Sequence, residues 1–127
     1  MLDLSHYQTE TKSYTSFLTF SWAMIADIDI ESEAIRFLGI LRNDVWAAWR
    51  VIRLRSYRAK FSYLPIDKSG TNVSLPQFQE VVPSNWVSFE ADFILFWASH
   101  VSHAASNTLQ SPNSSLDDGK FTILFVR

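Results

Sequence analysis

The sequence predicts a mostly β fold with one long helix, and three observations carry that prediction. Short runs rich in threonine and aromatic residues alternate with the period of a strand. One stretch, Ser32 to Arg53, sets Ala34, Leu38, Leu41, Val45, Ala48 and Ile52 at three- and four-residue steps, the spacing of a single helical face. Polar tracts carrying Gly, Pro, Ser and Asn separate these runs, as loops do.

Taken in order, "DLSHYQTETKSYTSFLTFSW" reads as two strands joined at "TETKS", with Tyr14, Ser16, Leu18, Phe20 and Trp22 on one side of the second. In the helix that follows, acids lie at the start and arginines toward the end, which suits the helix dipole. Trp46 and Trp49 widen its apolar face, and Gly39 weakens its middle. "YRAKFSYLP" alternates as a strand and stops at Pro65. "IDKSGTNVSLPQFQEVVPSN" is a long loop, and "WVSFEADFILFWASH" is a strand, with or without a tight turn at "EAD". "SHAASNTLQSPNSSLDDG" is a second polar loop, and "KFTILFVR" is a last strand. A strong apolar strand at the very end leaves an edge wanting a neighbour, so the chain reads as a truncated domain.

The 127 residues suit one domain or less. Hydrophobic residues make up 47% and aromatic residues 15%, which excludes a disordered chain. There is no cysteine, so no disulfide framework supports the fold. No basic start leads into an apolar run, and no eighteen-residue uncharged stretch predicts a membrane-spanning helix. Asn72 and Asn113 begin glycosylation-type triplets, read here as chance matches. The formal charge of −2 argues against nucleic acid as a partner, but it conceals a local bias. Four acids fall in 27–33, and 36–60 holds seven basic residues against Asp44 alone. That basic run keeps phosphate or an anionic lipid surface open as partners.

Asp27 and Asp29 precede the predicted helix. Either caps it, or a carboxylate there receives an amine or hydroxyl of a ligand through a charge-assisted hydrogen bond. Their spacing is not diagnostic of magnesium. Arg36 and Arg42 do not form one row on a helix. They are either solvated charges, with Glu33 a local partner for Arg36, or donors reaching one phosphate chain. "RVIRLRSYRAK" reads as a helix end passing into a strand, or as a segment lying on a membrane interface. His100 and His103 lack a third ligand, and no metal site is expected. "LDDG" marks a turn. Gly39, Gly70 and Gly119 are too dispersed for a phosphate cradle, and no catalytic constellation is complete.

The segments "SFLTFSWAMIADIDIESEAIRFLGILR", "LRSYRAKFSYLP", "VVPSNWVSFEADFILFWASHVSH" and "SPNSSLDDGKFTILFVR", with "LDLSHYQTE" before them, resemble in order the second conserved half of sphingosine kinases. Those enzymes belong to the diacylglycerol kinase and NAD kinase superfamily. The resemblance implies that 1–127 is part of a β-sandwich-like C-terminal lipid-binding domain, with the N-terminal nucleotide-binding catalytic domain absent. It implies transfer of the ATP γ-phosphate, with Mg2+, to the primary hydroxyl of a sphingoid base. By matched position it implies that Asp29 holds the polar head, with Glu33 and Thr19 near it. Phe20, Met24, Ile25 and Leu38 fall to the lipid-facing wall, and Arg36 and Arg42 to the nucleotide phosphates.

The family's general base lies outside these residues, so the catalytic residue stays unassigned. The expected setting is cytoplasmic with peripheral membrane contact. Ala23, Trp46 and Ala59 stand where the family has glycine, and its later "DGE"-type ending is missing. Alternatives are an inactive lipid or membrane interaction module, and a fragment of a ceramide or acylglycerol kinase.

Overall fold

The structure is a computed structural model that describes residues 2–66, 76–77, 80–105 and 108–127. Its elements run β1 (Ser5–Gln8), β2 (Ser13–Ser16), β3 (Thr19–Ala23), α1 (Met24–Glu31), a 3₁₀ segment (Ser32–Leu41) and α2 (Arg42–Ile52). Then come β4 (Tyr57–Tyr63), β5 (Val87–Phe93), β6 (Leu95–Ser99), β7 (His103–Ala105), β8 (Thr108–Leu109) and β9 (Thr122–Val126). The fold is mostly β with one helical stretch, as the sequence predicts. Gly70, Asn72 and much of the predicted loop around them lie outside the described residues.

Period-two alternation builds the core. In β5, Val87, Phe89, Ala91 and Phe93 are sheltered, while Ser88, Glu90 and Asp92 are exposed. β4 pairs with β5 antiparallel, with Ala59 opposite Ala91 and Phe61 opposite Phe89. The second sheet has the order β3-β6-β9, all antiparallel. Across it run two rows of side chains, Trp22–Phe96–Phe125 and Phe20–Ala98–Ile123. Rings of the two sheets then meet. Phe61 lies 5.0 Å from Phe96, Phe89 lies 5.5 Å from Phe125, and Phe93 lies 6.2 Å from Phe96. Such pairs add about 0.5–1.5 kcal/mol each beyond area burial. This face-to-face arrangement is sandwich-like, with Phe93 at its centre, 1% exposed.

Several boundaries differ from the sequence reading. The predicted second strand divides into β2, which forms a hairpin with β1, and β3, which joins the other sheet. The break in "WVSFEADFILFWASH" falls at Ile94 and not at "EAD". There the Ile94 N–H donates to the Val126 carbonyl (2.8 Å), and the Ile94 carbonyl accepts from the Met24 N–H (3.0 Å). The loop after β6 contains the small β7–β8 pair.

The helical stretch also differs. It begins at Met24, so Asp27 lies inside α1 and caps nothing, and no side chain caps its start. Regular geometry is interrupted at Ile35 (φ −113°, ψ 31°) and Gly39 (φ 59°, ψ −126°). Glycine alone enters the latter region without strain. The kink breaks the spacing that the sequence appeared to carry through. Ala34, Leu38, Leu41, Val45, Ala48 and Ile52 are all exposed. The sheltered positions of α2 are instead Arg42, Trp46, Ala47 and Arg50, so its inner face is largely polar.

Ala23, at the β3–α1 junction, has φ 62° and ψ −129° and is 2% exposed. A non-glycine residue there costs on the order of 1–3 kcal/mol. Glycine removes that strain but adds about 0.5–1 kcal/mol of unfolded-state entropy. Ala23→Gly is therefore expected to stabilise the chain by about 1 kcal/mol, read as a higher urea midpoint with an unchanged slope.

Candidate functional site

The four acids of 27–33 divide by helical phase. Asp27 and Glu31 are one turn apart on α1 and face α2 and the start of β4. Tyr57 donates its hydroxyl to Asp27 (2.8 Å to Oδ2), and Trp46 Nε1–H donates to Glu31 Oε2 (2.9 Å). The Arg50 guanidinium, with its side chain 4% exposed, pairs with Glu31 and approaches Asp27 Oδ2 at 3.5 Å. Arg55 reaches Glu31 at 3.2 Å. Trp46 above all holds the Glu31 carboxyl below the usual glutamate range; burial opposes this, and Arg50 and Arg55 add to it. The Tyr57 hydroxyl and Glu31 in turn raise the Arg55 pKa, burial opposing, so it stays charged.

Asp29 and Glu33 lie on the other side and are exposed. Glu33 bridges two guanidinium groups, that of Arg42 directly and that of Arg36 at 3.6 Å. The Asp29 carboxylate has no hydrogen-bond or ionic partner among the described residues, while its carbonyl accepts from Ser32 Oγ (3.3 Å). The fully buried Ser32 hydroxyl also lies 2.9 Å from Asn43 Oδ1, which ties the end of α1 to α2. Asp29 is thus a free acceptor on a pinned helix, one turn before the Glu33–Arg36–Arg42 cluster.

Between the two sheets opens a concavity of about 1350 Å³. Trp22, Phe61, Phe89, Phe96 and Phe125 line it, and Lys60, Ser62, Asp118 and Lys120 give it polar edges. It exceeds the ~300–1,000 Å³ of ordinary small-molecule sites. Of the residues singled out in the sequence, Phe20 lines it. Thr19 is half-buried on β3 opposite Ser99, and Met24 and Ile25 are half-buried in the first turn of α1. Leu38 is exposed on the 3₁₀ segment. None of Asp29, Glu33, Arg36 and Arg42 lines the concavity. The two arginines nevertheless converge, on Glu33.

His100 is buried, with its ring nitrogens facing Ser5 Oγ and the Lys120 carbonyl (2.9 Å), whereas His103 is exposed. Among the described residues, no three acids or histidines are grouped to hold a metal. The Asp27–Glu31–Arg50–Tyr57 network was missed in the sequence. The four-residue spacing of Asp27 and Glu31 was its one local signal, because Arg50 and Tyr57 are supplied from distant elements.

Fold and site together define a β-rich unit with an aromatic concavity, flanked by a helical stretch that presents carboxylates and guanidinium groups. No family model matches the chain. Sphingosine kinase 1 of Arabidopsis thaliana is 29% identical over 146 residues, covering 99% of this chain and 30% of that protein. Human sphingosine kinase 1 is 32% identical over 127 residues, covering 88% and 33%. Sphingosine kinase B of Dictyostelium discoideum is 46% identical over 59 residues, 44% of this chain and 8% of that protein. The chain spans about a third of the length of the first two curated relatives. It is a sphingosine kinase-like segment, related to that family along nearly its whole length.

Proposed function

We propose that the chain is the lipid-binding part of a sphingosine kinase-like enzyme and takes up a sphingoid base. The observation that carries this is the aromatic concavity between the sheets, open at about 1350 Å³ and backed by the relationship to sphingosine kinases. A long alkyl tail gains roughly 0.8 kcal/mol for each methylene moved from water into such a surface. Asp29 accepts from the ammonium or hydroxyl of the head, with Thr19 and Glu33 near it. Phe20 contributes to the tail wall, and Met24, Ile25 and Leu38 extend it toward the helix.

Arg36 and Arg42 contribute donors to the phosphates of ATP held by a nucleotide-binding domain, where Mg2+ and the general base also belong. Bound there, ATP supplies the γ-phosphoryl group for the primary hydroxyl of the base. This chain's own contribution is to orient that hydroxyl and to place positive charge near the phosphoryl oxygens. The exposed apolar side of α2 (Val45, Trp49 and Ile52), with Arg53 beside it, supports contact with a membrane surface from which the lipid is drawn, in a cytoplasmic setting.

A second reading, a lipid interaction module without catalysis, is favoured by the position of Asp29 outside the lining of the concavity. Titration calorimetry with sphingoid bases of increasing chain length separates the two. Affinity is expected to rise up to about fourfold per added methylene, and Phe20→Asp is expected to weaken binding. Asp29→Asn is expected to weaken it about tenfold through loss of a charged acceptor. Chain-length dependence with no effect at Asp29 selects the second reading, and an absence of binding removes both.

A further inference from the structure

A second, smaller hollow of about 430 Å³ lies where the end of α2 meets the start of β4. Its walls include two indoles, Trp46 and Trp49, and three guanidinium groups, those of Arg50, Arg53 and Arg55, against the single carboxylate of Glu31. We propose that this hollow is a binding site for a phosphate group, separate from the aromatic concavity and from the Arg36–Arg42 cluster.

Three observations carry the assignment. First, the three guanidinium groups face the Glu31 carboxylate at the hollow and Asp27 behind Arg50, which leaves a surplus of one positive charge for a phosphate group. Second, Arg50 is 3% exposed, yet its Nε–H is buried with no acceptor. Leaving a buried donor unsatisfied costs about 1–3 kcal/mol, and a shift of the side chain toward an oxygen ligand in the hollow would relieve it. Third, the guanidinium of Arg53 lies over the Trp49 ring at 5.2 Å, and no carboxylate pairs with it among the described residues. A stacked arginine keeps its N–H edge available, and that planar edge fits phosphate oxygens in pairs.

The carbonyl end of α2 opposes an anion here, but with about half a charge against the surplus of one. A phosphate can come from solution or from a lipid headgroup. Val51 and Ile52, 61% and 77% exposed, lie beside the hollow in sequence, where a bilayer would cover them.

The test uses the full chain and its tryptophan fluorescence, which Trp46 and Trp49 bring to the site. Inorganic phosphate is titrated in one arm. In the other, phosphatidylcholine vesicles are compared with and without phosphatidic acid. A saturable change is expected with phosphate, with the phosphatidic acid vesicles, or with both, and the responding arm identifies the source. Arg53→Gln is expected to weaken it about tenfold. Arg58→Gln, an exposed arginine paired with Glu90 outside the hollow, is expected to leave it unchanged. Glu31→Gln, which releases Arg55 and leaves Arg50 with Asp27 alone, is expected to tighten binding, a sign opposite to that of simple structural damage. Silence in both arms, or equal losses for Arg53→Gln and Arg58→Gln, overturns the assignment. Neither outcome bears on sphingoid binding in the concavity.

Discussion

Arg50→Ala is expected to destabilise the chain by about 3–5 kcal/mol, the usual cost of removing one partner from a buried ion pair. The arginine side chain is 4% exposed and stands between two carboxylates on α1. Without it, Asp27 keeps the Tyr57 hydroxyl and Glu31 keeps Trp46 and Arg55, but no cation lies between them. Small domains are stable by only about 5–15 kcal/mol, so much of that margin is consumed. Urea denaturation measures it, and a loss below about 1 kcal/mol would mean that the network behaves as solvated surface charge. The triple variant Asp27→Asn, Glu31→Gln, Arg50→Met is expected to recover most of the stability, because it removes the charges together.

Acid titration gives an independent readout of the same network. The folded-state pKa of Glu31 is depressed, so its contribution is fully present above the ordinary glutamate range and is lost as the pH falls through the lowered value. Arg50→Ala is expected to flatten that acid limb without abolishing it, since Trp46 still donates to Glu31.

The strands were legible because each signal is local. "VSFEADF" and "YRAKFSY" carry strict alternation, and the structure pairs them residue by residue from Val87↔Tyr63 to Phe93↔Tyr57. The helical stretch was legible in kind but not in register. Its apolar spacing ran unbroken on paper through Gly39, a residue that helices tolerate, and non-helical geometry at Ile35 with a positive φ at Gly39 divides it. Once divided, α2 turns Arg50 inward and leaves Val45 and Ile52 outside, the reverse of what amphipathic spacing implies. Hydrophobic pattern cannot reveal a helix docked through ion pairs. The pairing of Glu33 with Arg36 is a neighbour effect and was readable. The bridge from Glu33 to Arg42 depends on the kink between them and was not. For the concavity, the sequence supplied Phe20. The walls from β5, β6 and β9 required knowledge of which strands face each other.

Phe93→Ala is expected to cost about 3–5 kcal/mol, the range for removing a buried phenylalanine ring. Phe93 contacts Trp22, Phe89, Phe96 and Phe125, and so joins both sheets at one point. It also lines the concavity, which makes the size of the loss informative. Where the neighbours collapse into the vacated space, or water enters from the open side, the residual dry cavity is small and the cost falls toward the lower figure. If the concavity holds an alkyl chain, a long-chain sphingoid base can occupy part of that space and is expected to recover a share of the lost stability. A short-chain analogue with the same head leaves the space empty and should recover less. Equal recovery by both would place the stabilising contact at the head group alone, and the aromatic surface between the sheets would then be core left uncovered, with no tail to receive.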